Sequence, residues 1–179
     1  MVLRERLATM KILVLNGSPR LHGDTAGMVA AFKEAAEQAG HEVAALDVCR
    51  MNIKGCLACE YCHGKGHGTC AQKDDMQRIY DLLADANMLV LASPIYYHGI
   101  SGQLKCAIDR FYSALYPKAP KSLRKVAMLL SSGDPEMYIG ARFSYEGDFL
   151  GYLGLEDVGI VTNHDENYLD AVRQMATSL

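Results

Sequence analysis

The sequence predicts an α/β fold, with a parallel doubly wound sheet covered by helices on both faces. Strand-like runs alternate with amphipathic helical segments along the chain, and the first run is apolar and β-branched throughout, as a strand buried on both faces must be. Sheets of this kind bind ligands beyond the carboxyl ends of their strands, beside the point where the strand order reverses. The loops after the first, third and fourth strands are therefore the places to look for chemistry.

Lys11 to Asn16 is the first, central strand, followed by Gly17-Ser18-Pro19-Arg20. Asp24 and Thr25 can open a helix whose apolar residues Met28, Phe32, Ala35, Ala36 and Ala39 share one face before Gly40 ends it. A second strand spans Glu42 to Val48. Residues 50–73 lack any period, hold four of the six cysteines, and form a loop longer than compact domains usually carry without a functional reason. Asp74 and Asp75 open a helix with Met76, Ile79, Tyr80 and Leu83 inward, the acids lying at the positive end of its dipole. Met88 to Ala92 is strand three and Ser93 to Ile100 a loop. Ser101 to Leu115 is a helix with Leu104, Ile108, Phe111 and Leu115 inward, broken before Pro117. Lys125 to Leu130 is strand four, Tyr138 to Leu153 a glycine-interrupted helix, and Asp157 to Thr162 and Glu166 to Met175 a closing strand and helix.

At 179 residues the chain fits one domain, and half of it is apolar, which leaves no compositional case for disorder. Residues 10–179 are expected to form that domain. The first nine residues precede a second methionine, Met10, and read as a loose tail or a mis-assigned start. A formal net charge of -3 without a Lys/Arg cluster argues against nucleic acid as a partner. No apolar run reaches the roughly 18 to 20 residues of a membrane span, and the start lacks a signal peptide's apolar stretch, so a cytoplasmic protein is expected. In that compartment six cysteines read as metal ligands, redox thiols or core residues, not as a disulfide framework.

The loop Asn16-Gly17-Ser18-Pro19-Arg20-Leu21-His22-Gly23-Asp24-Thr25 joins a buried strand to a helix N-terminus and offers hydroxyls, a cation and unpaired N–H groups. A phosphate needs these. The same residues also suit a polar turn with Asp24 or Thr25 as N-cap. Because Asp24 would repel a phosphate, its side chain is expected to cap the helix, with Ser18, Arg20 and Thr25 facing the anion.

After strand three comes Ser93-Pro94-Ile95-Tyr96-Tyr97-His98-Gly99-Ile100-Ser101-Gly102-Gln103-Leu104-Lys105, then Ile108-Asp109-Arg110-Phe111. An S-P-x-Y loop followed by L-K-x-x-I-D-R on a helix resembles the NAD(P)H-dependent FMN reductase and iron-sulfur flavoprotein branch of the flavodoxin-like superfamily. The likeness runs from Lys11 to about Gly133. It implies a flavodoxin-like three-layer fold with a five-stranded parallel sheet in the order 2-1-3-4-5. It also implies FMN as cofactor, NAD(P)H as co-substrate, and a homodimer or homotetramer. By this resemblance Ser18, Arg20, Asp24 and Thr25 belong to the phosphate loop, while Pro94, Ile95, Tyr96, Tyr97 and Gly99 line the isoalloxazine. Ser131, Ser132 and Gly133 form a third loop at the flavin edge. A flat amphipathic ring needs backbone N–H groups at its edge and apolar or aromatic faces, which Pro94 to Tyr97 can supply. Tyr96 and Tyr97 can equally be ordinary half-buried aromatics. Asp109 and Arg110 read as a helix ion pair, with a subunit contact as the alternative, and Phe111, Tyr112 and Tyr116 as core before interface.

Cys56, Cys59, Cys62 and Cys70 form a C-x2-C-x2-C-x7-C run. Thiolates three apart in a loop can converge on one centre, and four match a cubane cluster. The resemblance implies a 4Fe-4S cluster on these four residues. The long last gap holds His63 and His67, which leaves a zinc site open, as well as a metal-free loop. Cys49 and Cys106 read as core residues.

No nucleophile, base and acid constellation is visible, so no catalytic side chain is assigned; His98 is a candidate contact for flavin or substrate. The expected function is an FMN-dependent oxidoreductase passing electrons from NAD(P)H to a small-molecule or protein acceptor. A non-enzymatic flavodoxin-like carrier is the alternative class, and a zinc-stabilised domain with a vestigial flavin site a third.

Overall fold

Lys11–Asn16 forms β1, with Leu13 and Leu15 on one face and Ile12 and Val14 on the other, as the two-residue period of a strand requires. The computed structural model describes residues 9–179, so the assignment of the first nine residues to a tail falls, Thr9 apart, outside them. β2 is Glu42–Asp47, β3 Met88–Tyr96, β4 Gly99–Ile100, β5 Lys125–Ser131 and β6 Glu156–Thr162. The long strands are parallel and ordered β2-β1-β3-β5-β6, the expected order, and β4 adds a short sixth strand antiparallel to β3. The order reverses between β1 and β3, which opens a crevice at their carboxyl ends.

Helices α1 (Asp24–Gln38) and α6 (Tyr168–Thr177) cover the face that carries Ile12, Val14, Val90 and Leu129. The other face, with Leu13, Leu15, Leu91 and Met128, is covered by α2 (Met76–Asp85), α3 (Gly102–Arg110), α4 (Tyr112–Leu115) and α5 (Ile139–Ser144). Two apolar layers thus sandwich one sheet. Among the described residues no helix is long and apolar enough to cross a membrane.

Two helices and one ion pair differ from the expectations. The predicted helix Ser101 to Leu115 is two segments: Ser101 is the N-cap, its hydroxyl accepting from Leu104 N at 3.3 Å, and the chain turns at Phe111. The predicted helix Tyr138 to Leu153 is α5 continued by π-helical turns over Tyr145–Tyr152. There the buried Tyr145 hydroxyl donates to Val126 O (2.9 Å) and Asp157 Oδ1 (2.5 Å), tying the segment to the sheet. Asp109 and Arg110 do not pair with each other: Asp109 pairs with Lys105, and Arg110 turns into the core to meet Asp74. One residue along a helix is 100° around it, so neighbours in sequence face different surroundings.

Candidate functional site

The loop after β1 is held by its own polar groups. Gly17 N donates to Ala92 O (2.8 Å), stitching the loop to β3. A Cβ at Gly17 would stand 2.5 Å from Ser101 Oγ and 2.7 Å from Leu104 Cβ, so only glycine lets the loop rest on the start of α3. Ser18 N donates to Asn16 Oδ1 (3.0 Å), and Ser18 Oγ accepts from Arg20 N (3.2 Å). The first-turn N–H groups of α1 have no intrahelical acceptor, and exposed Arg20 adds a cation to the same loop.

Asp24 does not cap α1. Gly23 occupies the N-cap without any side-chain bond, and the Asp24 carboxylate accepts from Asn163 Nδ2 at 3.0 Å. Helix phase decides this: from the first helical position the carboxylate points outward along the turn after β6. Thr25 is buried, and its hydroxyl meets Ser131 Oγ at 2.7 Å.

β3 runs past the sheet into a hairpin. Ile95 pairs with Ile100 and Tyr96 with Gly99, leaving Tyr97 (φ 50°) and His98 (φ 63°) as a two-residue turn. Left-handed backbone at both positions is what a primed hairpin turn needs, and for non-glycine residues it costs about 1–3 kcal/mol each. The turn is braced by α5: a Cβ on Gly140 would lie 2.6 Å from His98 O. At its base Ser101 N donates to Ser93 Oγ (2.8 Å).

The loop after β5 hangs on Asn163, a residue the sequence reading did not single out. Its Oδ1 accepts from Ser132 N (2.9 Å) and from the Tyr138 hydroxyl (2.7 Å), while Nδ2 donates to Ser132 O (3.1 Å) as well as to Asp24. The available signal was position: the turn Asn163-His164-Asp165 follows the last strand, at the same carboxyl edge as the other three loops.

These loops enclose a cavity of 320 Å³ lined by Ser18, Arg20, Gly23, Asp24, Thr25, Pro94, Ile95, Tyr96, Ser131, Ser132 and Gly133. Two residues assigned to it from sequence stand outside the lining, since the hairpin carries Tyr97 to its exposed tip and Gly99 onto the return strand. Cys49 is half-buried beside the same loop, its thiol donating to Ser18 O (3.0 Å), and burial pushes that thiol's pKa up.

The four clustered cysteines lie apart from this cavity. Cys56 and Cys59 are exposed and Cys62 and Cys70 half-buried, all as free thiols. The long last gap folds back tightly: Gly68 N donates to Cys62 O and Gly66 N to Tyr61 O, both at 2.7 Å. A Cβ on Gly66 would be 2.4 Å from Thr69 O. The Cys62 thiol is pushed up by burial, with the neighbouring Cys70 and Cys56 adding to it. His63 is engaged with two tyrosines, its Nε2 2.8 Å from Tyr112 O and its ring against Tyr112 and Tyr116. Among the described residues no three His, Cys, Asp or Glu side chains converge on a metal-sized point. The chemistry of the donor set, four thiols in one loop, nonetheless suits an iron-sulfur centre and does not need His63.

The neck of this loop is locked. Arg110, 1% exposed, donates from Nη1 to Asp74 Oδ2 (2.8 Å) and Lys54 O (3.0 Å), and from Nη2 to Asp74 Oδ1 (3.1 Å). Burial alone would raise the Asp74 pKa, but the bonds from Arg110, Lys54 and Met76 outweigh it and hold the carboxyl low. Burial likewise opposes the Arg110 charge, and Asp74 more than restores it.

The profile of the NADPH-dependent FMN reductase family matches residues 10–145, over half of the chain and all three cavity loops. An iron-sulfur flavoprotein of Methanocaldococcus jannaschii is 38% identical over 125 residues, covering 69% of this chain and 62% of that protein. One of Archaeoglobus fulgidus is 36% identical over 101 residues, covering 56% of this chain and 45% of that protein. The chain thus spans less than two thirds of the length of these relatives. An NAD(P)H:quinone oxidoreductase from Methanothermobacter marburgensis superposes with a TM-score of 0.73 at 21% identity, over 96% of this chain and 97% of that one. An FMN-dependent NADH-azoreductase from Bacillus anthracis superposes at 0.69 and 16% identity, over 93% and 98%. At such identities these two structures speak for the fold alone, whereas the sequence match over residues 10–145 assigns the chain to the NADPH-dependent FMN reductase family.

Proposed function

We propose that residues 10–179 form one FMN-binding domain, and that the protein is an NAD(P)H-dependent flavin oxidoreductase. The observation that carries this reading is the cavity: hydroxyls, a cation and free first-turn N–H groups at one end, and Pro94, Ile95 and Tyr96 at the other. FMN, when bound, takes two electrons from a nicotinamide and passes them on together or one at a time. Ser18, Thr25, Arg20 and the start of α1 would hold its phosphate, with Asp24 drawn aside by Asn163. The backbone from Pro94 to Tyr97 would face the ring edge, and Ser131 to Gly133 its other side. Stoichiometric FMN in the purified protein, with oxidation of NADH or NADPH on mixing, tests the reading. Bound FMN without nicotinamide turnover would favour the carrier, and absence of FMN would overturn both.

The cysteine loop is read as the seat of a 4Fe-4S cluster on Cys56, Cys59, Cys62 and Cys70. Four thiols suit such a cluster, and the names borne by the two archaeal relatives favour it over a four-thiolate zinc site. About four irons per chain after anaerobic reconstitution are expected; zinc alone, or no metal, would sink it. A homodimer or homotetramer in the cytoplasm, serving a small-molecule or protein acceptor, completes the proposal.

A further inference from the structure

The cysteine loop begins and ends at one side chain. Arg110 is the last residue of α3, and its guanidinium reaches Lys54 O on the incoming segment of the loop and both Asp74 oxygens on the outgoing one. Lys54 N donates to Asp74 Oδ2 (3.3 Å), and Gln72 Nε2 to Gly55 O (3.0 Å), closing the neck above it. The pair is buried to 1% and 5% exposure, where ions are costly and an apolar pair of similar volume would often serve stability as well or better. What the pair does by its geometry is tie both ends of the loop to one helix. Arg110 Nε is buried with no acceptor among the described residues, and Cys70 lies within electrostatic range of the guanidinium. The other end of α3 rests on the cofactor cavity, where Ser101 bonds Ser93 and packs on Gly17.

We propose that the Asp74–Arg110 pair is the positioning latch of the cysteine loop, fixing the segment from Lys54 to Asp74 to the same helix that braces the flavin cavity, so that the thiols are presented to their metal centre from a closed neck. The metal part rests on the cluster reading above; the latch itself does not. A guanidinium is suited to this because its planar fork satisfies a carboxylate with two N–H groups and still reaches a carbonyl.

The test uses the full chain with three variants: Asp74→Asn, Arg110→Lys, and the apolar exchange Asp74→Leu with Arg110→Met, which keeps the core filled. FMN content and cooperative unfolding report folding. Iron per chain after anaerobic reconstitution, the cluster's midpoint potential, and the iodoacetamide alkylation rates of Cys62 and Cys70 in the metal-free protein report the latch. The apolar exchange is expected to keep FMN, lose at least half of the iron, and alkylate Cys62 and Cys70 at least tenfold faster. Arg110→Lys, which cannot form the bidentate pair, is expected to fall between it and the native chain. Asp74→Asn removes a negative charge four residues along the chain from Cys70 and is expected to raise the cluster's potential. Native iron content and alkylation within twofold in the apolar exchange would overturn the latch. Should that variant not fold, the same criteria on Asp74→Asn decide. Should the native chain take up no iron, the cluster reading fails, and the alkylation rates alone settle the latch.

Discussion

Thr25 Oγ1 and Ser131 Oγ stand 2.7 Å apart, joining the first turn of α1 to the end of β5 in the wall of the cavity. One hydroxyl donates to the other, so the pair keeps one O–H free to point at an anion. Thr25→Val and Ser131→Ala are each expected to weaken FMN binding about tenfold, the effect of losing one charge-assisted hydrogen bond. Because the two residues share one network, the double variant should lose less than the product of the two losses. Flavin fluorescence quenching measures all three; additive losses would show that the hydroxyls act separately.

Asp24 puts a carboxylate at the helix end where an anion is to bind, and Asn163 holds it at 3.0 Å. Asp24→Asn should therefore tighten FMN severalfold at low salt, and the gain should shrink as salt is raised. Asn163→Leu frees the carboxylate and the Ser132 backbone together and should weaken binding. Unchanged affinity in Asp24→Asn would mean that the carboxylate lies beyond electrostatic reach of the phosphate.

Two glycines carry packing that no side chain can share. Gly17→Ala forces its methyl into Ser101 Oγ and Leu104 Cβ, and Gly140→Ala forces one into His98 O. Each should cost about 1–3 kcal/mol of stability. Gly17→Ala should also weaken phosphate contacts, whereas Gly140→Ala should shift the visible flavin spectrum by displacing the hairpin. Denaturant midpoints and difference spectra would separate the two.

Stability should fall with acid in two windows. Burial lowers the His41 pKa below 6.5, with Nδ1 accepting from Met10 N at 3.3 Å and Nε2 unpartnered among the described residues. The unfolded chain then binds the proton more readily, so this stability is present above pH 6.5 and is lost as pH falls through the folded value. Asp74, depressed below 3.8, loses its contribution in a second, lower window. In His41→Asn, whose amide oxygen replaces Nδ1, the upper window should vanish from urea midpoints measured between about pH 7 and 5, and only the lower one should remain.

The strands were legible because their information is local. A continuous apolar run such as Lys11 to Asn16 or Met88 to Ala92 states its own burial, and the punctuation after it marks a loop at the carboxyl edge. Hence the residues that line the 320 Å³ cavity fall in three short stretches of chain, although Tyr97 and Gly99, read from the same stretches, stand outside the lining. The Tyr97-His98 turn had no such signal, since neither residue is the Asn or Gly that primed turns favour; Gly140, packed under His98, is what holds it.

By itself, then, the sequence determined the alternation of strands and helices, the loops that meet at the sheet edge and the four-thiol run. The tertiary structure alone decided the partners: Asp24 with Asn163, Thr25 with Ser131, and Asp74 with Arg110 instead of Asp109 with Arg110. Periodicity and backbone preference act over a few residues, so they can be read in a window. A buried polar group takes whichever complementary group chain closure brings within about 3 Å, and that depends on every element at once.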